Sequence, residues 1–208
     1  MAERPIIFCG EMVRAILDGR KTQTRRIIKR PARLDARYYP LRAAGRYWWG
    51  YEGFSTGLEL VSPYGYPLAS RLWVRETWAV APIAIHYRAD NGFVSFPDEP
   101  RLFEYASTKG WRPSIHMPRW ASRLTLRVTD VRVQRVQDIS EEDAIAEGVE
   151  RVGDRYKGYM QVFGEDYCPA TAKTAFSQLW EVLNAKRGYG WDANPWVWAI
   201  SFERVAQC

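Results

Sequence analysis

The segment Gly19-Arg20-Lys21-Thr22-Gln23-Thr24-Arg25-Arg26 packs two hydroxyls and four cations into a single short stretch. A turn brings residues i and i+3 together, so Lys21 and Thr24 can meet there. Arg20, Arg25 and Arg26 surround Lys21 with like charge, which lowers the pKa of an amine. A neutral lysine can act as a general base, and a threonine beside a base can act as a nucleophile. Residue types alone favour the plainer reading, a basic turn that holds phosphate or water. Glu147 is the second unusual residue. It falls in the last turn of an expected helix, directly before Gly148, where a carboxylate opposes the helix dipole by roughly 0.3–1 kcal/mol. Either it faces a cation such as a lysine, or it sits on an exposed end that tolerates it.

Aromatic residues supply a third candidate. The chain has ten Trp and twelve Tyr, and Arg46-Tyr47-Trp48-Trp49-Gly50-Tyr51 is bounded by glycine without a clean period. Trp48 and Trp49, flanked by arginine, are placed by this reading at the rim of a pocket, where they would stack on a base. The competing reading is a staple that ties a loop to the body of the protein.

Other chemistries lack their residues. The two histidines, His86 and His116, and the three cysteines, Cys9, Cys168 and Cys208, are scattered and form no metal-ligand spacing. The expectation is therefore no metal, no organic cofactor and no disulfide framework, in a cytoplasmic setting. No run approaches the roughly 18 apolar residues of a membrane span, and the first residues lack the pattern of a secretory signal. The formal net charge is +6, but residues 1–46 hold twelve Lys/Arg and four Asp/Glu. The basicity thus belongs to the segment that carries Lys21 and Thr24, as a footprint for a polyanion would require, or a solvated face.

The elements that must position these groups are mixed. Pro5–Phe8 reads as a short buried strand. Glu11–Asp18 reads as a helix burying Met12, Ala15 and Ile16, with Gly19 as its stop. Residues 29–70 and 79–120 lack sustained periodicity and read as long loop insertions, with a short strand at Leu102–Tyr105. Arg71–Trp78 reads as a strand. Arg123–Val136 is a long strand whose alternation slips at Thr129-Asp130, which predicts a bulge. Ser140 starts a helix ending at Gly148, Pro169 opens another ending at Gly188, and Trp196, Trp198, Ile200 and Phe202 alternate on a final strand. No Gly-rich phosphate loop is present. The sum is an α+β chain: a small bent β-barrel with about three peripheral helices and two insertions, read as a single domain over residues 1–208.

A helix followed by Gly19-Arg20-Lys21-Thr22-x-Thr24-x-Arg26 resembles the opening signature of ASCH domains, small PUA-like β-barrels linked to RNA binding. Arg71-Leu72-Trp73-Val74-Arg75-Glu76-Thr77-Trp78 and Trp191–Trp198 resemble segments of their longer bacterial and phage-associated members. Compact members include amidohydrolases that deacylate N4-acetylcytidine. The resemblance implies a catalytic trio of Lys21, Thr24 and, through the helix start Ile139-Ser140-Glu141, Glu147. It implies metal-independent removal of the acyl group from an N4-acylated cytosine. Arg20, Arg25, Arg26, Trp48, Trp49, Arg75 and Glu76 would contact substrate or nucleic acid. The implied partners are an acylated cytidine or other modified nucleoside, free or within RNA or DNA, and no membrane. The alternatives are a non-catalytic module that binds RNA or a modified base, and a ribonuclease.

Overall fold

The computed structural model describes residues 3–29, 39–43, 46–51, 54–59, 71–95, 102, 110–159 and 167–205. Strand β1 (Glu3–Ile7) leads into helix α1 (Gly10–Leu17), which buries Val13, Ala15 and Ile16. Met12 is only partly buried, so the inward face is rotated slightly from the expected one. Gly19 ends the helix at φ +73°, a conformation that glycine adopts without cost. The chain returns as β2 (Gln23–Ile27), the strand that carries most of the basic segment.

A three-stranded meander follows, of β3 (Tyr39–Ala43), β4 (Arg46–Tyr51) and β5 (Phe54–Glu59). After β6 (Arg71–Arg75) comes a second meander, β7 (Trp78–Ala81), β8 (Ala84–Tyr87) and β9 (Phe93–Ser95). Both expected loop insertions therefore contain sheet. The second meander has its own apolar cluster of Trp78, Ile85, Tyr87, Leu102, Met117 and Ala121. The first feeds Tyr47 and Trp49 into the main core. Of the expected strand Leu102–Tyr105 only Leu102 lies within the described residues, where it is buried and helical rather than extended.

The main sheet has the order β1-β6-β10-β13-β2, with β10 (Thr125–Arg135) and β13 (Trp196–Val205) at its centre. Strands β1 and β6 are parallel, and the other pairs are antiparallel. The register of β10 against β13 shifts between Val128 and Asp130, at the slip visible in the sequence. Four consecutive β13 residues, Val197 to Ile200, are buried, so this strand is covered on both faces rather than half-buried. One face packs on α1 and the first meander, the other on α2 (Glu141–Ala146) and α3 (Ala172–Asn184). Between these helices lies a small hairpin, β11 (Arg151–Val152) and β12 (Arg155–Tyr156). Helix α3 begins three residues after Pro169, because the Thr171 hydroxyl accepts the Thr174 amide at 3.2 Å. The Glu141 carboxylate reaches across to the first amides of α3 and ties the two helices together.

The α+β class is as expected, but the barrel is not closed. β1 and β2 are the two ends of the main sheet and share no ladder. No helix among the described residues is long and apolar enough to cross a membrane.

Trp48 and Trp49 do not reach a pocket rim. Trp49 is 2% exposed in the main core, and Trp48 is half-buried. Tyr47 stands edge-on to the Trp198 ring at 5.8 Å, and its hydroxyl accepts the Val133 amide at 3.3 Å. The segment is the staple of the two readings, because alternate residues of β4 must cover the central strands. Trp49→Ala should therefore cost about 3–5 kcal/mol, the usual range for a buried large aromatic. Thermal melting would register that loss while KM stays near wild type. A KM effect at unchanged melting temperature would restore the rim assignment.

Candidate active site

The unpaired edge of β2 borders a cavity of about 450 Å³. Ile7 and Cys9 line it from the end of β1, Met12 from α1, and Thr24 to Ile27 from β2. Phe176, Leu179, Trp180 and Leu183 form a wall from α3. The opening in the sheet is thus where the pocket lies. Its volume falls in the roughly 300–1,000 Å³ range of small-molecule sites.

Three residues at this edge come from distant parts of the chain. Lys21 is 2% exposed, and its Nζ donates to the Glu147 carboxylate at 2.8 Å and to the Glu147 carbonyl at 2.7 Å. Glu147 is the C-terminal cap of α2, where its carbonyl and its carboxylate both turn toward the lysine. The cation missing from the sequence argument about the helix dipole is Lys21. The other Glu147 oxygen accepts from Arg25 Nη1 at 3.1 Å. Arg25 Nη2 donates to Asp143 at 2.8 Å, and Gln23 accepts from Nη1 at 2.6 Å and donates to Asp143 at 3.0 Å. Asp143 and Glu147 are four residues apart on one helical face, so one arginine clamps both.

Burial is the main cause that pulls the Lys21 amine below its ordinary pKa of 10.5, and Glu147 opposes it. Arg26 adds to the depression only as a lesser contributor. The sequence argument had the direction right and the leading cause wrong. Arg20 bonds to Asp18, and Arg25 is committed to Glu147 and Asp143. Burial would raise the Asp143 carboxyl, but Gln23, Arg25 and Arg132 together hold it below the ordinary carboxylate range.

Thr24 is 3% exposed and lines the cavity beside Glu147. Its hydroxyl has no hydrogen-bond partner among the described residues. The Lys21 amine points its observed bonds at Glu147, not at Thr24. The structure thus brings Thr24 and Glu147 to one pocket and Lys21 directly onto Glu147.

The remaining expected binding residues divide. Arg26 lines the cavity, donates to the Ile7 carbonyl at 2.7 Å and lies over Phe8 at 5.0 Å. Arg25 lines it too, but its guanidinium is held by carboxylates. Arg20 is exposed, outside the lining, with a bond to the Gly148 carbonyl at 3.2 Å. Neither Arg75 nor Glu76 lines this pocket, although Arg75 pairs in the sheet with Ile7, which does. Arg75 stacks over Trp73 at 4.6 Å, and Glu76 is a buried carboxylate held by Arg123 at 2.9 Å through both oxygens. Asp143, Gln23 and Arg187 were not singled out in the sequence. Asp143 was legible from its spacing to Glu147; Gln23 and Arg187 carry no such signal. No cluster of three or more His, Cys, Asp or Glu suited to a metal occurs among the described residues.

Gly148 has a specific role beside the pair. Its φ is +88°, and a Cβ there would lie 2.8 Å from Lys21 Cβ and 3.1 Å from Ala15 Cβ. Gly153 is also left-handed, at φ +58°, but has nothing within 4 Å of that position. Backbone strain alone costs about 1–3 kcal/mol at either site. Gly148→Ala should therefore lower the melting temperature more than Gly153→Ala, because only the first also displaces Lys21. Equal losses from the two variants would remove the contact argument. No family model matches the chain, and no curated protein or solved structure matches it.

Proposed function

We propose that this cavity is the active site of a metal-independent amidohydrolase that removes the acyl group from an N4-acylated cytosine. The observation that carries the reading is the Thr24 hydroxyl, without a partner among the described residues, in a pocket also lined by Glu147, the carboxylate that holds Lys21 behind it. The ASCH-like segment around Lys21 and Thr24 supports the choice of substrate, and the apolar α3 wall suits the flat face of a base.

The chemistry uses groups of this chain alone. The Thr24 Oγ attacks the acyl carbonyl, and its proton passes to the neutral Lys21 amine. The C–N bond breaks as the lysine returns the proton to the leaving cytosine amine. Water then hydrolyses the acyl-threonine ester with the same lysine as base. Glu147 orients Lys21 and balances its charge. Its two carboxylate oxygens are taken up by Lys21 and Arg25, so orienting the lysine is the role its contacts favour over acting on the leaving amine. Lys21 must turn from Glu147 toward Thr24 when substrate fills the cavity. Hydrogen bonds of this kind commonly tighten only in the substrate complex.

A second reading has its own observation. Lys21 spends two hydrogen bonds on Glu147, as a structural ion pair would. On that reading the pocket binds a modified base without turnover. Incubation with N4-acetylcytidine and assay of released acetate separates the two. Acetate with free cytidine supports the hydrolase; saturable binding without acetate supports the binding module.

A further inference from the structure

Charge at the cavity mouth bears on which cytosine compound enters. Four cations line the cavity, Arg25, Arg26, Lys29 and Arg187, against a single carboxylate, Glu147. Arg25 is neutralised by Glu147 and Asp143, and Arg26 is held at the Ile7 carbonyl. Lys29 and Arg187 differ from both. Both are exposed, and neither pairs with a carboxylate among the described residues. Among the described residues, Arg187 makes only a long bond to the Asn184 side-chain oxygen Oδ1, at 3.4 Å. Some cations elsewhere are paired, whereas Lys173, Lys186 and Arg204, outside the cavity lining, pair with no carboxylate among the described residues. Arg119 pairs with Glu3, Arg123 with Glu76, and Arg127 with Glu203. Lys29 follows β2 and Arg187 follows α3, so two unanswered charges rise from two different walls of one pocket. The apolar face of Phe176, Leu179, Trp180 and Leu183 lines the same cavity. The Trp180 indole is fixed by its bond to the Tyr189 carbonyl at 2.9 Å.

We infer that Lys29 and Arg187 form a phosphate subsite, so that the acylated cytosine enters as a nucleotide rather than as a neutral nucleoside. The inference rests on the deacylase reading of the same pocket. An apolar wall takes the base, and the two cations take the phosphate group that follows the sugar. Uncompensated cations beside a low-dielectric wall favour an anion strongly and steer it to the mouth. The phosphate can belong to a free mononucleotide or to a strand.

The test uses the Thr24→Ala protein, which leaves the ligand intact. Affinity is measured for N4-acetylcytidine, its 5′- and 3′-monophosphates, and a pentanucleotide carrying the same base. The better monophosphate should bind on the order of tenfold more tightly than the nucleoside at low salt, and the gap should narrow as salt rises. Lys29→Ala with Arg187→Ala should close the gap, whereas Arg204→Ala, away from the cavity lining, should keep it. A pentanucleotide no tighter than the monophosphate assigns a free nucleotide, and a tighter one assigns a strand. Equal affinity for nucleoside and nucleotide, a gap that survives the double substitution, or no binding of any of these ligands overturns the subsite. Failure of the deacylase reading shows separately, as wild-type protein that binds the nucleotide with the expected preference but releases no acetate.

Discussion

Thr24→Ala should abolish deacylation of N4-acetylcytidine or its nucleotide, with kcat down roughly 10³-fold or more, as loss of a covalent nucleophile typically costs. Thr24→Ser should keep part of the activity, because a hydroxyl remains at the same position. The pair is informative here because Thr24 contributes little else that a hydroxyl could do. Its hydroxyl has no partner among the described residues, and its backbone is paired with Ile200 of β13 in either variant. Melting temperature should therefore move little while activity collapses. Lys21→Arg should be nearly as damaging as removal of the lysine, since a guanidinium stays protonated and cannot accept the proton. Mass spectrometry of protein quenched during turnover should find the acyl group on Thr24. Full activity in Thr24→Ala would rule out the covalent route and leave, at most, a water molecule activated at the same pocket.

Some of this site was legible in the residues and some was not, for physical reasons. Glu147 stood out because it violates the helix-dipole preference, and the violation is answered by Lys21 at 2.8 Å. The bulge in β10 was legible because a one-residue slip in alternation reverses which side chains face the core. The meanders at 39–59 and 78–95 were not. Their strands are short, and those of the first pack aromatics against the central sheet on one side, so polar and apolar residues do not alternate cleanly. Trp48 and Trp49 illustrate the ambiguity: a tryptophan beside arginine has the same composition whether it stacks on a base or fills a core. Glu76 is a different case. Charge within an apolar strand suggests a site, yet Glu76 is buried to receive Arg123. Burial also raises the Glu76 carboxyl, and Arg123 opposes that rise.

Removal of the Glu147 carboxylate should be the most destabilising single change at the site. Lys21 is 2% exposed and Glu147 5%, and Arg25 shares the same carboxylate. A buried pair is weak evidence of net stabilisation, but breaking it strands a charge and costs about 3–5 kcal/mol. Glu147→Ala strands part of two cations at once. Lys21→Met should cost less, because Glu147 keeps Arg25 and the methionine refills the lysine's volume beside Phe8. The double variant should fall short of the sum of the singles, which is the signature of direct coupling. The pH dependence follows from the lowered Lys21 pKa. Between the folded value and the unfolded value near 10.5, the unfolded chain binds more protons than the folded one. Stability therefore rises with pH across that window and declines as pH falls through it. Lys21→Met should flatten this slope. Deacylation should climb in the same direction as stability, because only the neutral amine accepts the Thr24 proton. Chemical denaturation of the three variants at several pH values reads both effects. A Glu147→Ala protein as stable as wild type would mean that the lysine carries no buried charge for the glutamate to balance, and an undiminished pH slope in Lys21→Met would assign that slope to another group.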